Sequence, residues 1–229
     1  MSKSHEILVS VNRKYKNKVR AIKSADFVPI PQAAKFCREN GFRLSDNNVQ
    51  WAIKTSRLKP SDDVLNAGEL LSWAQWRDFN STFKPEKMTV REWLIAIYRG
   101  YAFMPVFKGN RRKNAHFSYA WHIALDFDTM DMNSALGTLS QHDLAGMFGA
   151  FGYTSPSHKP DKPKGRLCWV FDNPITDREQ YAKLYKALMS HFEHADKSAK
   201  DAARLFYGSE KCETWCNCCL LYTSDAADE

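Results

Sequence analysis

The sequence predicts an α+β protein: a basic, mainly helical N-terminal region, then a unit whose strands and helices follow one another as β-α-β-β-α-β. Three observations carry this. Capping signatures stand at Thr89-Val90-Arg91-Glu92 and Thr176-Asp177-Arg178-Glu179, each opening a helical pattern. Around them lie short runs rich in β-branched and aromatic residues, punctuated by Gly, Pro and Asn. The longest of these runs, residues 117–127, carries Asp126 near its end, and Asp128 follows two positions later.

A short basic strand is expected at residues 7–11. Pro31 opens a helix that Gly41 closes, Ser45 or Asp46 caps another reaching Ser56, and Ser61 begins a third. In that third helix Val64, Leu65, Leu70, Leu71, Trp73, Trp76 and Phe79 supply an apolar face, so its tryptophans read as core. Pro85 marks a joint, giving domains of 1–85, 86–210 and a tail of 211–229. The helix opened at Thr89 ends at Gly100. Strands follow at 102–107 and 117–127, with Lys108-Gly109-Asn110 as the turn between them. Thr138 or Ser140 caps a helix through Gly149, strands occupy 150–155 and 166–171, and Asp172-Asn173-Pro174 ends the latter. The second capping box opens a helix to about His194, and 204–207 form a last strand. From residue 118 this is the split βαβ arrangement of ferredoxin-like and RNA-recognition-motif folds.

The composition is that of an ordinary soluble chain of 229 residues, 44% hydrophobic and 26% charged. No run approaches a membrane span, and Met1-Ser2-Lys3-Ser4-His5-Glu6 lacks the order of a secretory signal, so a cytoplasmic location is expected. The net charge of +7 points to an anionic partner. Seven basic residues (Lys3, Arg13, Lys14, Lys16, Lys18, Arg20, Lys23) face one acid, Glu6, before Ser24, which reads as an arm for nucleic acid or as a solvated charge run.

Six cysteines in a chain of this kind are expected to stay reduced. Cys37 and Cys168 fall in apolar patterns, whereas Cys212, Cys216, Cys218 and Cys219 crowd the end in a spacing that does not match zinc knuckles. Residues 219–229 resemble the translation of a transposon-derived sequencing adapter, so they are set aside from the fold and the native chain is expected to depart near Cys218.

Side chains two apart on a strand share a face, so Asp126 and Asp128 project together while Phe127 turns away. Two carboxylates so close repel unless a cation lies between them, and hard divalent ions such as Mg²⁺ prefer oxygen ligands. Alone, such a pair is as readily a solvated turn or a helix cap. The stretch Thr154-Ser155-Pro156-Ser157-His158-Lys159-Pro160-Asp161-Lys162-Pro163-Lys164-Gly165-Arg166 follows, with four basic residues and a histidine against one acid. Three prolines stiffen it, making a cradle for phosphates, or otherwise a solvated hairpin loop. Asp196, which precedes the last expected strand, would complete a three-carboxylate site.

In this order the motifs resemble the archaeo-eukaryotic primase superfamily, of the kind carried by phages and plasmids. The family's DhD motif is matched by Leu125-Asp126-Phe127-Asp128, its small-x-His motif by Pro156-Ser157-His158, and its later acidic position by Asp196. Gly165-Arg166-Leu167-Cys168-Trp169-Val170-Phe171, Ala203-Arg204-Leu205-Phe206-Tyr207-Gly208 and Ile97-Tyr98-Arg99-Gly100-Tyr101-Ala102 are similar to further family segments, so the resemblance spans about residues 89–208. It implies a primase-type catalytic domain with an RNA-recognition-motif-like palm. The implied activity is that of a DNA primase or primase-polymerase, a nucleotidyltransferase that makes or extends primers on a single-stranded DNA template from NTPs or dNTPs. Two Mg²⁺ or Mn²⁺ ions would be held by Asp126, Asp128 and Asp196. His158 would contact the incoming triphosphate with Ser157, Lys164 and Arg166 as helpers, and Arg204 would serve phosphate or pair with a site carboxylate. Asp201 competes with Asp196 for the third position. A replicative helicase, fused or separate, is an implied partner.

Two other readings stand beside this one. A replication-initiator nuclease would need a His-apolar-His metal pair and a tyrosine nucleophile. Tyr181 and Tyr185 lie one helical turn apart, but no His-x-His occurs, and a packing pair is the better reading of those tyrosines. A non-catalytic nucleic-acid binding module would use the sheet face and the basic arm.

Overall fold

A computed structural model of the chain describes residues 6–21, 27–29, 58–60, 69–71, 73–110, 112–149, 151–197 and 202–217. The expected helices at 31–41 and 45–56, the segment 61–68, Asp201, Cys37 and the adapter-like tail lie outside the described residues. The chain divides into two compact units, residues 1–17 together with 81–229, and residues 18–80.

In the smaller unit, among the described residues, β2 (Val19–Ala21) pairs in parallel with β5 (Glu69–Leu71), and β3 (Phe27–Pro29) pairs antiparallel with β4 (Leu58–Pro60). Helix α1 (Trp73–Ser81) closes it, with Trp76 stacked on Phe79 at 5.3 Å between ring centroids. Of the third helix expected from Ser61, Leu70 and Leu71 lie in β5 and residues 73–81 in α1.

In the larger unit the first sheet has the order β6-β1-β7, all antiparallel, with β1 (Glu6–Lys16) between β6 (Lys84–Thr89) and β7 (Tyr101–Met104). Residues 6–16, which include the short strand expected at 7–11, are thus the middle strand of a sheet. Arg13 pairs with Glu86 at 2.6 Å and Lys16 with Glu210 at 3.0 Å. The boundary expected at Pro85 falls inside β6, which pairs with β1 from Glu6↔Thr89 to Val11↔Lys84. An irregularity after Asn12 ends the regular β1–β7 ladder, and there the Asn12 side chain accepts hydrogen bonds from the backbone of Lys14 and Tyr15.

Helix α2 (Val90–Tyr98) starts on the expected capping box. Thr89 accepts from the Glu92 N–H while Glu92 accepts from the Thr89 N–H. Gly100, at φ 85°, takes the left-handed conformation that lets the chain turn directly into β7.

The second sheet has the order β12-β10-β11-β9-β8. Strand β9 (Phe117–Phe127) has the expected bounds, and β10 (Phe151–Thr154) and β11 (Gly165–Ile175) form a hairpin whose second strand pairs antiparallel with β9. Strands β9 and β10 are therefore parallel, with β11 between them, and short helices α3 (Leu136–Ser140) and α4 (Asp143–Phe148) connect them. These replace the single helix expected from 138 to 149. The chain restarts at His142, whose ring caps α4 by accepting from the Leu144 N–H.

The expected strand 102–107 splits between β7 and β8 (Val106–Phe107), which join different sheets. Strand β11 runs through Asp172-Asn173-Pro174 instead of stopping there, because the ladder with β9 is interrupted between Val170 and Ile175 and the proline needs no pairing donor. Helix α5 (Arg178–Ser190) is capped by Asp177, not Thr176. The carboxylate accepts from the N–H groups of Glu179 and Gln180 at 2.6 and 3.0 Å, and the helix stops short of His194. The strand expected at 204–207 is reduced to one bridge, Phe103↔Phe206, and the sheet instead gains β12 (Thr214–Cys216) at its far edge beside β10. Residues 214–216 thus belong to the fold and not to a separate tail.

Strand alternation gives the second sheet two apolar faces. Ala124, Cys168, Phe151 and Tyr153 pack toward Ile7, Val9 and Val11 of β1 and toward Trp93, Ile97, Phe103 and Phe206. On the other face Phe127 and Trp169 meet Phe192 at ring distances of 5.6 and 5.4 Å. Burial of this many large side chains on both faces is the main source of stability. No helix among the described residues is long and apolar enough to cross a membrane.

Candidate active site at the end of strand β9

Asp126 is the penultimate residue of β9, and its registered neighbour on β11 is Arg166, whose neighbour on β10 is Tyr153. The three side chains form a row on one face of the sheet. Arg166 donates through Nε to Asp126 Oδ1 at 2.9 Å and through Nη2 to Oδ2 at 3.5 Å. Its Nη1 donates to the Tyr153 hydroxyl at 3.1 Å and to the Tyr207 carbonyl at 2.6 Å. The guanidinium is buried and its donors are taken by protein groups.

Tyr207 is held in place by the neighbouring bridge, in which Phe103 and Phe206 exchange hydrogen bonds of 2.8 and 2.9 Å. Gly208 permits this approach: a Cβ there would lie 2.5 Å from the Tyr101 carbonyl oxygen and 2.7 Å from that of Ile97.

Arg204, on the same segment, donates from Nη2 to Asp126 Oδ2 at 3.2 Å and to Asp196 Oδ2 at 3.3 Å. Asp196 is also tied by its backbone, whose N–H donates to the Asp126 carbonyl at 2.8 Å. Two aspartates 70 positions apart in sequence (196 − 126) are thereby brought to one cationic nitrogen. Burial works against the charge on Asp126, but Arg166 and then Arg204 outweigh it and hold the carboxyl below the usual carboxylate range. Burial likewise opposes the charge on Arg166, and Asp126 overcomes it.

Asp128 stands past the end of β9 with its side chain 51% exposed, against 11% for Asp126. Lys164 Nζ approaches its Oδ2 at 3.9 Å. Asp128 thus lies beyond the strand that holds Asp126, and the two sit in different surroundings, one locked and one open to solvent. Lys164 also reaches the loop histidine, for its backbone N–H donates to His158 Nδ1 at 3.1 Å. In the neutral ring this puts the proton on Nε2. The 155–164 loop is closed by Ser155 N–H to the Lys164 carbonyl at 2.9 Å and by a tight Lys159↔Lys162 bridge. Ser157 and His158 are half-buried on it.

The structure thus gathers Asp126, Asp196, Arg166 and Arg204 in one cluster and sets Asp128, Lys164 and His158 in a second, linked to the first through β9 and β11. Toward a divalent cation the donor chemistry fits. Asp126 and Asp196 are hard oxygen donors already facing a single positive atom. Among the described residues no three His, Cys, Asp or Glu side chains form a preformed cage, since basic groups stand between the carboxylates. Tyr153 and the Tyr207 carbonyl, which fix Arg166, were not singled out from the sequence. Only the β10–β11 register reveals them.

Tyr181 and Tyr185 are both buried. Tyr181 lies against Phe117 at 5.2 Å and Tyr185 donates to the Ala124 carbonyl at 3.0 Å, the positions of a packing pair. Cys212 is buried and Cys216 half-buried.

Compared with known proteins, the chain matches no family model, no curated protein and no solved structure.

Proposed function

We propose that this chain is a template-directed nucleotidyltransferase of the primase or primase-polymerase kind, joining NTPs or dNTPs on single-stranded DNA. The observation that carries the reading is the meeting of Asp126 and Asp196 at one cationic atom, with the Asp128–Lys164–His158 group on the adjoining strand ends. The β10-β11-β9 order, with α3, α4 and α5 on one face, supports an RNA-recognition-motif-like palm as the finer fold.

Asp126, Asp128 and Asp196 would hold the Mg²⁺ or Mn²⁺ ions. Bound there, such ions favour ionisation of the attacking hydroxyl and neutralise charge on the departing pyrophosphate. Arg166 acts one step back as a positioning residue, fixing the Asp126 carboxylate in one orientation through two nitrogens. His158 offers its Nε2 proton to a triphosphate oxygen, while Lys164 and Ser157 bind the same group from the stiffened loop. Arg204 is the remaining candidate for phosphate once it leaves the carboxylates.

The test is incorporation of labelled NTPs and dNTPs on single-stranded DNA, primed and unprimed, in Mg²⁺ and Mn²⁺, beside the Asp126→Ala/Asp128→Ala protein. Product requiring metal and both aspartates supports the reading, and full-rate product from the double variant refutes it.

A nucleic-acid binding module without catalysis is the second reading, favoured by the basic partner that each of the three aspartates already has. It expects DNA binding that is indifferent to divalent ions and to Asp126→Ala.

A further inference from the structure

The two arginines at Asp126 are held very differently. Arg166 is buried and also serves two neutral acceptors, the Tyr153 hydroxyl and the Tyr207 carbonyl, so its place is set by more than the carboxylate. The Arg204 side chain is 33% exposed, and its hydrogen bonds to described residues are those of Nη2 to Asp126 and Asp196. We propose that Arg204 is a built-in competitor of the divalent cation, its guanidinium holding Asp126 and Asp196 together until a metal ion takes its place. This rests on the metal-dependent reading above.

Charge balance argues for exchange over addition. Asp126, Asp196, Arg166 and Arg204 together sum to zero charge. A divalent ion entering beside both arginines would leave two uncompensated positive charges in a largely buried site, which is costly. Departure of Arg204 halves that excess, and the exposed side of its chain gives it a way out. Arg166 has none and stays. The arrangement sets a threshold: the carboxylates remain paired and correctly spaced without metal, and bind it only above a concentration that displaces the arginine.

The test is Mn²⁺ titration without nucleotide, followed by electron paramagnetic resonance of the free ion, on the wild type, Arg204→Gln and Arg204→Gln/Asp196→Asn. The expected result is Mn²⁺ binding by Arg204→Gln tighter than wild type, on the order of ten-fold, with the gain lost in the double variant. Wild-type binding with equal or weaker binding by Arg204→Gln overturns the inference alone. Absence of Mn²⁺ binding from both folded proteins overturns it together with the metal-dependent reading. Side-chain NMR of the wild type gives a second readout that needs no variant. Restricted rotation of the Arg204 guanidinium should become free on adding Mg²⁺ while that of Arg166 persists, and an Arg204 signal unchanged at saturating Mg²⁺ contradicts the exchange.

Discussion

Tyr185 donates its hydroxyl to the carbonyl of Ala124 at 3.0 Å, fastening helix α5 to the strand that presents Asp126 two residues further on. Burial raises the pKa of this phenol well above its ordinary value, so it stays protonated and serves as a donor. Tyr185→Phe is expected to cost about 1 kcal/mol of stability, the usual net worth of one buried hydrogen bond. Urea unfolding measures it. The same variant should retain any nucleotide incorporation, whereas loss of a DNA-cleaving activity would bring back the tyrosine-nucleophile reading.

Arg166→Ala should be far more damaging, because it strands the buried Asp126 carboxylate with only the more exposed Arg204. Breaking a buried pair by removing one partner costs about 3–5 kcal/mol. Arg166→Ala/Asp126→Ala should recover part of that loss. A double variant less stable than the single one would show that Arg166 matters through Tyr153 and Tyr207 instead.

His122 lies wholly inside the protein, between the rings of Trp93 at 4.8 Å and Phe103 at 5.4 Å, with no hydrogen-bond partner for either nitrogen among the described residues. Burial pulls its pKa down to about 3. The unfolded chain therefore takes up this proton near pH 6.5 and the folded one does not, so acidification through that window favours unfolding. From pH 7 to pH 5 the loss is about 2 kcal/mol. His122→Leu should flatten the pH dependence by that amount in urea titrations at the two pH values. An unchanged slope would mean that His122 is protonated or solvated in the folded state.

His158→Ala is expected to raise the KM for nucleoside triphosphate by roughly 10- to 100-fold, the worth of one hydrogen bond to a charged group. Single-stranded DNA affinity should hardly change. Equal losses in both would place the histidine in template binding or in loop stability. Fluorescence anisotropy with labelled DNA, run beside initial-rate kinetics, separates these outcomes.

Local signals in the chain were readable where neighbours in sequence make the structure. Strand β9 has its expected bounds because aromatic and branched residues fill it without a breaker, and Thr89 and Glu92 form their capping box within a single turn. Long-range pairing hid the rest. Nothing near Glu6 announces Thr89 as its partner, so the sequence shows a short strand at 7–11 within a charged stretch but not its place in the middle of a sheet. The 204–207 segment has the look of a strand, yet Phe206 alone finds a ladder partner while the neighbouring residues serve Arg166 and the aspartates. Strand β12 lay concealed in a cysteine-rich ending. Within the site, Asp126, Asp128 and Asp196 could be picked out by type and order, whereas the Asp126–Arg166–Tyr153 row needed the register of three strands.

Because β1 occupies the middle of its sheet and precedes β6 and β7 in sequence, it leaves the ribosome while both of its partners are still unmade. Its pairing with β6 needs residue 89 to have emerged and its pairing with β7 residue 104, and until then Ile7, Val9 and Val11 lack the completed sheet that buries them. A shortened protein begun at residue 86 would leave β7 and the remainder of β6 facing a gap one strand wide. Supplying a peptide of residues 6–16 to such a fragment offers the missing backbone from outside, making β1 a separable component of the sheet's assembly.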